Sequence, residues 1–449
     1  MKTQKGFKLT ALLLVFCMCF LLLTSCSGGK KPLTIWVGIE SVDFYAEMMD
    51  EYVEMYLQKT GKAFPHEISV QGVDTASAAA KVLDDLDAGA DIFTVAHDNL
   101  GKLTAGASAI APVKSQALLS QIKGDNPQTF LDVINMTVQG TEYTFGIPYI
   151  GQSLVLMYNS KYLSVEDVKT WEGIWEVAKK NNMQSMSLMG DDGYNNSFLV
   201  LASSAKTGLM PAKIYEGGKL DKCDFTSDEV ISIMQWGQRF FTDPNGGKMP
   251  TDSGWEIELR DEISLSLIGG AWKYKAAQAA LGENLKIAIL PSFTLTQEDV
   301  KGTSVEPNSV YRSGTFADCK VFVMKKGSEK AEYLEDILLY LSSKEIQEKS
   351  FIECANLPAY KNAITEFASM QSDNLDTALA ARQLEMFNYG IPQPFGYSTT
   401  HNFYYYSKGG PDLVKEILEN RDNLFTSAEA IKNQLKMIEN IWKTGERSN

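Results

Sequence analysis

Short apolar runs alternate along the chain with stripes of apolar residues at helical spacing. The run Leu33–Val37 predicts a strand. The next stripe recurs every four residues, as on one face of a helix that Gly61 ends, and its members are Phe44, Met48, Tyr52 and Tyr56. Asp74 begins a second predicted helix, and Gly89 ends it. Strand, helix and strand in this order predict a parallel sheet with helices on both faces.

The same alternation continues to the end of the chain. Further strands are predicted at 66–70, 90–95, 154–159, 263–268 and 285–290. Amphipathic helices are predicted at 332–341 and 343–351, and a last one carries an apolar face of Ile431, Leu435, Ile438 and Trp442. No segment repeats another, so the sequence predicts an α/β protein of two or three domains or lobes.

The first 25 residues have the pattern of an export signal. Lys2, Lys5 and Lys8 precede a 15-residue apolar run at 9–23, which is short for a membrane span. The run leads into Leu23-Thr24-Ser25-Cys26, which resembles the lipobox of bacterial lipoproteins. We therefore expect a signal peptide at 1–25, a lipid anchor on Cys26 and a short tether over 26–32 that attaches the protein to the membrane. The alternative is a plain secretory signal with an incidental cysteine.

Charge and composition narrow the chemistry. The net charge of the chain is −14, and it becomes −17 without the three leader lysines, so a nucleic-acid partner is not expected. The three histidines, His66, His97 and His401, lack the spacing of a zinc motif, and no cofactor is predicted. Cys319 and Cys354 are expected to be buried thiols, although a bridge between them stays open.

Polar residues follow two of the predicted strands at their carboxyl ends, where ligands of parallel α/β sheets bind. Glu40 and Ser41 follow the first strand. Asp98 and Asn99, together with His97, follow the third strand. Carboxylates and amides pair well with adjacent hydroxyl groups, so these positions suit a hydroxyl-rich ligand.

Six segments, taken in order, resemble the extracellular solute-binding proteins of ABC importers, in particular the sugar-binding group typified by the maltose/maltodextrin-binding protein. Within them the resemblance is carried by Asp91, Ala96-His97-Asp98, Met157-Tyr158-Asn159, Ala271-Trp272 and Ile391-Pro392-Gln393. The segments span nearly the whole chain after the leader, and they are 33–43, 89–100, 146–159, 266–273, 287–293 and 390–397.

The resemblance implies an α/β, two-lobed periplasmic-binding-protein-like fold of type II, with discontinuous lobes joined by a hinge and a ligand cleft between them. It assigns 33–150 with 291–342 to an N-terminal lobe and 151–290 with 343–449 to a C-terminal lobe. It also implies a membrane-anchored protein at the extracytoplasmic face of the bacterial cell membrane. Such a protein captures a maltooligosaccharide-like sugar by lobe closure and delivers it to the transmembrane subunits of an ABC permease without chemical change.

The resemblance also implies roles for individual residues. Asp98 matches a family acid that grips sugar hydroxyls, and Glu40 lies near a second such acid. Asn99 and Gln152 stand where typical members have arginine and glutamate, so the sugar specificity is expected to differ. Trp272 lies one residue from a stacking tryptophan. The full set of predicted ligand contacts is Glu40, Ser41, Asp98, Asn99, Tyr149, Gln152, Tyr194, Trp272, Tyr274, Phe395 and Tyr397.

Other roles stay open for several of these residues. Asp98 can instead cap the next helix, Glu40 can be a solvated loop acid, Gln152 can serve only the hinge, and Trp272 can belong to the core. At the level of function, the alternatives are an exported glycoside hydrolase, which needs two carboxylates across the scissile bond, and a solute-binding protein for a non-sugar ligand.

Overall fold

The computed structural model describes residues 31–138, 140–188, 195, 198–202, 212–214, 220–223, 225–250, 254–363, 366, 375–391 and 410–444. Predictions for Cys26, Tyr194, Phe395 and Tyr397 therefore lie outside the described residues. Within the described part, no helix has the length and apolar composition that crossing a membrane requires.

Twenty strands are named in chain order. They are β1 (Leu33–Val37), β2 (Ile68–Gly72), β3 (Ile92–Ala96), β4 (Ile110–Ala111), β5 (Asn135–Val138), β6 (Thr141–Thr144), β7 (Ile147–Gln152), β8 (Val155–Asn159), β9 (Met186–Ser187), β10 (Ala212–Ile214), β11 (Leu220–Cys223), β12 (Gly247–Lys248), β13 (Ser266–Gly269), β14 (Leu285–Ala288), β15 (Ser292–Thr294), β16 (Val310–Arg312), β17 (Thr315–Phe316), β18 (Asp318–Lys325), β19 (Leu357–Pro358) and β20 (Gly390–Ile391).

The α-helices are α1 (Val42–Thr60), α2 (Thr75–Asp84), α3 (Leu100–Thr104), α4 (Gln116–Asp125), α5 (Gln128–Ile134), α6 (Trp171–Asn181), α7 (Asp228–Thr242), α8 (Gly254–Arg260), α9 (Ala271–Leu281), α10 (Ala331–Leu341), α11 (Lys344–Cys354), α12 (Leu375–Met386), α13 (Gly410–Glu419) and α14 (Ala428–Thr444). Short 3-10 turns occur at Ile39–Ser41, His97–Asn99, Asp167–Lys169, Gly282–Asn284 and Phe387–Tyr389.

Two helix termini follow the predicted local chemistry. Gly61 ends α1 with φ of 69°, a left-handed conformation that glycine adopts without steric cost. The Asp74 side chain caps α2 by accepting a hydrogen bond from the backbone amide of Ala76. Both helices pack beside strands of the first sheet.

The first sheet has the strand order β19-β7-β18-β3-β1-β2, with β4 paired to β18. β1 is parallel to β2 and β3, as predicted. β18, however, runs antiparallel to both β3 and β7, so the sheet is mixed rather than purely parallel. The pattern along the early chain could not show this, because β18 enters the sheet from a segment more than 200 residues further on.

The second sheet has the order β12-β9-β13-β8-β14. β8 is antiparallel to both β13 and β14, while β9 is parallel to β12 and β13. Its core contains a stack of aromatic rings, in which Trp236 lies 5.1 Å from Phe240 and 4.4 Å from Phe293, measured between ring centroids. The buried apolar residues of the two sheets form two large separate clusters. The chain thus has the two-lobed α/β architecture.

Some segments pack in a different core from the lobe to which the sequence assigned them. Phe293, Tyr311 and Phe316 pack in the core of the second sheet, although 291–342 was assigned to the N-terminal lobe. Ile346 packs in the core of the first sheet, although 343–449 was assigned to the other lobe. The lobe boundaries stay a prediction, and this packing favours a passage between lobes near 316–318 over one near 291.

The chain passes from the first sheet to the second between β7 and β8. Ser153 donates a hydrogen bond from its hydroxyl to the Gln383 carbonyl (2.8 Å), and the Gln383 side chain donates back to the Ser153 carbonyl (3.0 Å). The Leu154 amide donates to the Thr315 hydroxyl at 2.8 Å. These buried contacts fix the crossing segment beside a second crossing at β17, close to the cavity described next.

Candidate functional site

A cavity of about 160 Å³ lies between the two lobes. The lobe that contains the first sheet, called the first lobe, contributes the loop after β1, the end of β7, β18 and the end of α11. The lobe that contains the second sheet, called the second lobe, contributes the first turns of α9. This cavity is called the cleft below. Its lining residues are Glu40, Ile150, Gly151, Gln152, Ala271, Trp272, Tyr274, Lys275, Lys320, Glu353, Cys354, Ala355 and Asn356.

Four of the predicted contacts line the cleft, namely Glu40, Gln152, Trp272 and Tyr274. Gln152 ends β7, where its backbone pairs with Asp318, and its side chain is largely buried. Tyr274 is also largely buried, on the same helix as Trp272. The cavity thus brings together two of the predicted polar contacts, Glu40 and Gln152, and two of the predicted rings, Trp272 and Tyr274.

Glu40 lies in the 3-10 turn after β1 and faces a lysine of the central strand. Its carboxylate oxygen Oε1 is 3.7 Å from Lys320 Nζ, and the Glu40 side chain is 42% exposed. A Cβ atom on Gly38 would lie 2.7 Å from the same oxygen, so only glycine leaves room for this position of the carboxylate. The backbone after β1 is therefore shaped to place one acid in the cleft.

Trp272 is the exposed aromatic side chain of the cleft. It is 43% exposed and is the second residue of α9, the helix that begins directly after Gly269 and Gly270. The indole ring covers Gly270 so closely that a Cβ atom there would overlap the ring. An exposed, flat ring in a cavity suits the weakly apolar face of a sugar.

Replacing Gly270 with alanine is expected to displace the Trp272 ring from its position. Because the three atoms nearest to the added Cβ all belong to this ring, we expect the affinity for a ligand that contacts the ring to fall by about three- to tenfold, or roughly 1 kcal/mol. Calorimetric titration of the variant measures this. The exposed, non-cleft Ile257→Ala substitution is the matched control. An affinity unchanged by Gly270→Ala would show that the ring position does not matter for binding.

Polar contacts behind the lining hold the first-lobe wall. The Asn356 side chain donates hydrogen bonds to the hydroxyls of Ser41 (3.2 Å) and Ser350 (2.8 Å). Ser41, a predicted contact, is therefore a buried support of a lining residue and is not itself in the lining. Burial raises the pKa of the neighbouring Cys354 thiol, with an opposing contribution from the Lys275 ammonium and a raising one from Glu40.

Tyr149 lies behind the wall as well. It is 3% exposed and packs against Phe322, with ring centroids 4.1 Å apart. Burial raises the pKa of its hydroxyl, and the Glu40 carboxylate raises it further, so the phenol is neutral. The prediction of ligand contact for Tyr149 is not supported by this position, because β7 turns its side chain into the first core.

Asp98 and Asn99 lie at the end of β3, as predicted, but both are buried, at 3% and 5% exposure. The Asn99 side chain donates a hydrogen bond to Asp98 Oδ1 at 2.9 Å, and Asn99 itself is the N-cap residue of α3. In the described structure these two residues are not among the lining residues of the cleft. β18 pairs with β3 up to Ala96, and the carbonyl of its residue Cys319 lies 3.3 Å from His97 Nδ1.

Sequence reasoning missed several lining residues, above all Lys320, Lys275, Glu353 and Asn356. Lys275 lies one turn beyond Ala271 on α9, a spacing that places the two on one helix face and could have revealed it. Lys320 carries no such local signal, because its position depends on the pairing of β18 with β3 and β7.

The described residues form neither a metal-ion cluster nor a disulfide between Cys319 and Cys354. Among them, no group of three or more His, Cys, Asp or Glu side chains is arranged to hold a metal ion. Cys319 and Cys354 are both free thiols, so the bridge left open by the sequence is not formed. The cleft therefore offers acids, lysines, amides and aromatic rings to a ligand.

Comparison with known proteins agrees with this architecture. The maltodextrin-binding protein from L. casei BL23, solved without ligand, superposes with a TM-score of 0.68 at 19% identity, over 92% of this chain and 99% of that one. A cyclo/maltodextrin-binding protein in complex with maltotetraose gives 0.67 at 19% identity, over 93% and 99%. The extracellular solute-binding protein from Staphylococcus aureus in complex with maltose gives 0.64 at 18% identity, over 93% and 98%.

Sequence comparison gives the family. No curated protein sequence matches the chain significantly. The sequence profile described as bacterial extracellular solute-binding protein, in contrast, matches residues 51–381, which is well over half of the chain. This match agrees with the two-lobed fold and with the cleft between the lobes. The chain belongs to the family of bacterial extracellular solute-binding proteins.

Proposed function

We propose that this protein is the binding subunit of an ABC importer and captures a carbohydrate, a maltooligosaccharide-like sugar, between its lobes. The observation that carries this proposal is the composition of the cleft. An exposed Trp272 on one lobe faces Glu40 and Gln152 on the other, which is the combination of ring, acid and amide that a sugar needs. Three proteins of the same fold support the sugar class, namely a maltodextrin-binding protein and two proteins solved in complex with maltotetraose or maltose.

Capture involves movement of the lobes. The cleft volume of about 160 Å³ is below the roughly 300–1,000 Å³ of typical ligand pockets. An oligosaccharide therefore enters when the lobes are further apart, and contacts to both lobes then favour the closed state. Contact of Asp98, Asn99, Tyr194, Phe395 and Tyr397 with the sugar remains a prediction.

The test is a ligand panel on protein that begins at Ser27, which retains every described strand and helix. Maltose to maltohexaose, other oligosaccharides, peptides and polyamines are added, and the unfolding midpoint is measured. A ligand at 100 times its Kd adds about 2.7 kcal/mol of stability, which gives a clear increase in the midpoint. Stabilisation by sugars alone supports the proposal, and stabilisation only by a non-sugar contradicts it.

The hydrolase alternative is tested with the same sugars. Glu40 and Glu353 both line the cleft, so two carboxylates are present in one cavity. We expect maltooligosaccharides to be recovered unshortened after prolonged incubation with the protein. Catalytic shortening of the chains at a low protein dose would identify a glycoside hydrolase.

Attachment to the membrane through Cys26 and delivery to a permease complete the proposal. Cys26→Ala is expected to move the protein from the membrane fraction to the soluble fraction, because a cysteine-linked lipid of two or more acyl chains is what gives stable anchoring. Fractionation with an antibody measures this, and Cys17→Ala within the leader is the control. A Cys26→Ala protein that stays in the membrane fraction would indicate another mode of attachment.

A further inference from the structure

The charges of the cleft suggest a more specific ligand than a neutral sugar. Lys320 lies in the middle of the first sheet, with its backbone paired to Ala96 on one side and Ile150 on the other. Its side chain is 14% exposed and reaches the cleft beside Gln152. A lysine this far buried is uncommon unless a counter-charge or ligand compensates it.

The contact that Lys320 makes inside the protein is a long one. Its Nζ atom lies 3.7 Å from Glu40 Oε1, whereas charge-assisted N–H···O bonds are about 2.7–2.9 Å long. Among the described residues, no side chain or carbonyl accepts a hydrogen bond from this ammonium. Lys320 therefore retains hydrogen-bond donors for a ligand, and an ammonium has three donors and no acceptor.

A second lysine approaches from the other lobe. Lys275 projects from α9 into the same lining and is exposed. Its positive charge acts on the first-lobe wall, because it opposes the rise in the pKa of the Cys354 thiol that burial causes. The two lysines thus belong to different lobes and come into one cavity in the described structure.

The local charge differs from that of the rest of the molecule. The chain carries a net charge of −14, yet the cleft lining holds two lysines against two glutamates, Glu40 and Glu353. The Glu40 carboxylate faces Lys320 at 3.7 Å, and because its side chain is 42% exposed it can yield this position to a shorter, better-aligned partner of Lys320. A neutral sugar needs no such pair of donor-only cations.

We propose that the cleft takes an acidic sugar, and that Lys320 and Lys275 hold its carboxylate from the two lobes. The ligand class is an oligosaccharide that contains a uronic acid. This inference rests on the proposed carbohydrate-binding function and changes the expected ligand from a neutral maltooligosaccharide to an acidic oligosaccharide. A ligand carboxylate that lies between ammonium groups of opposite lobes also makes a charge-assisted contact that exists only when the lobes are closed.

The experiment compares matched ligands by calorimetry. The probes are di- to tetrasaccharides that contain galacturonate, glucuronate or mannuronate, each beside its uncharged methyl ester, and maltose to maltotetraose. We expect at least one acid to bind about tenfold or more tightly than its own ester, a difference that is worth about 1.4 kcal/mol. The preference should weaken as salt rises from 50 to 500 mM, since part of it is electrostatic.

Two variants connect the preference to the lysines. Lys320→Met and Lys275→Met should each reduce affinity for the acid by about tenfold or more, while affinity for the ester changes less than about threefold. Lys320→Arg should keep most of the preference, because arginine retains the charge. Lys286→Met, outside the cleft, is the matched control. Lys275 is exposed, so its variant is informative even where Lys320→Met impairs folding.

The outcomes separate this inference from the proposed function. Tight binding of maltooligosaccharides with no preference for any acid over its ester overturns the inference and leaves the carbohydrate proposal standing. An equal loss of acid and ester affinity in both methionine variants overturns it as well. Failure of every sugar to bind contradicts the proposed function itself, and the inference with it.

Discussion

Asp91→Ala is expected to lower the free energy of unfolding by about 3–5 kcal/mol, the usual cost of removing one partner of a buried ion pair. Asp91 is 4% exposed. Its carboxylate accepts hydrogen bonds from the Thr34 amide (3.0 Å), the Ser328 hydroxyl (2.6 Å) and Lys330 Nζ (2.9 Å). Alanine leaves the buried Lys330 ammonium without its carboxylate. Urea denaturation followed by circular dichroism measures the loss.

The control variants separate the ion pair from the packing. Asp91→Ala combined with Lys330→Met should recover part of the loss, because no buried charge is then left unpaired. Removing the exposed pair of Lys169 and Glu166 by Lys169→Ala should change stability by less than about 0.5 kcal/mol. If Asp91→Ala and the double variant lose the same free energy of unfolding, the unpaired Lys330 charge contributes little to the loss.

The same group contributes a pH dependence with a defined sign. Burial raises the pKa of Asp91, but hydrogen bonds from Ser328 and Thr34 and the contact with Lys330 outweigh it, so the pKa is lowered overall. Because the pKa of Asp91 is lower in the folded state than in the unfolded chain, where it is about 3.9, the ionised carboxylate stabilises the fold at pH values above about 3.9. This contribution is lost as the pH falls through the pKa of Asp91 in the folded state. The free energy of unfolding of Asp91→Ala should therefore decrease less on acidification than that of the unmodified protein.

Trp272→Ala is expected to weaken sugar binding by about 30-fold, since truncating a tryptophan anchor commonly costs about 2 kcal/mol or more. The ring is 43% exposed in the described structure, so its removal leaves no large hole in the core and should barely change the unfolding midpoint. Trp272→Phe should retain much of the affinity, because a flat ring remains to cover the sugar face. Calorimetric titration of the three proteins with one sugar measures the effect, and an unchanged affinity for Trp272→Ala would exclude the ring as a binding surface.

Local patterns predicted those parts of the fold that local interactions determine. The strand Leu33–Val37, the left-handed Gly61 and the Asp74 cap follow from the spacing of apolar residues and from turn chemistry. Glu40 could likewise be expected near a ligand because it lies three residues after the end of β1, whereas Trp272 was expected there from the family resemblance, and both line the cleft. Such signals are contained within a few residues of the position they describe.

Long-range pairing decided what the sequence could not predict. Asp98 follows its strand as expected, but it is buried at 3% exposure, where β18 pairs antiparallel with that strand. The same strand brings Lys320 into the cleft from a part of the chain with no local sign of a site. Tyr149 was predicted as a contact because of its place in a family segment, yet the alternation of β7 directs it into the core.

Hydrogen-exchange mass spectrometry with and without a saturating sugar tests most directly whether the ligand is held between the lobes. We predict slower exchange in peptides from both sides of the cleft, covering 38–43, 147–156, 266–275 and 318–322, with little change in α14, which contributes no residue to the cleft lining. Protection confined to one lobe, or located away from these four segments, would contradict capture of the sugar in this cleft.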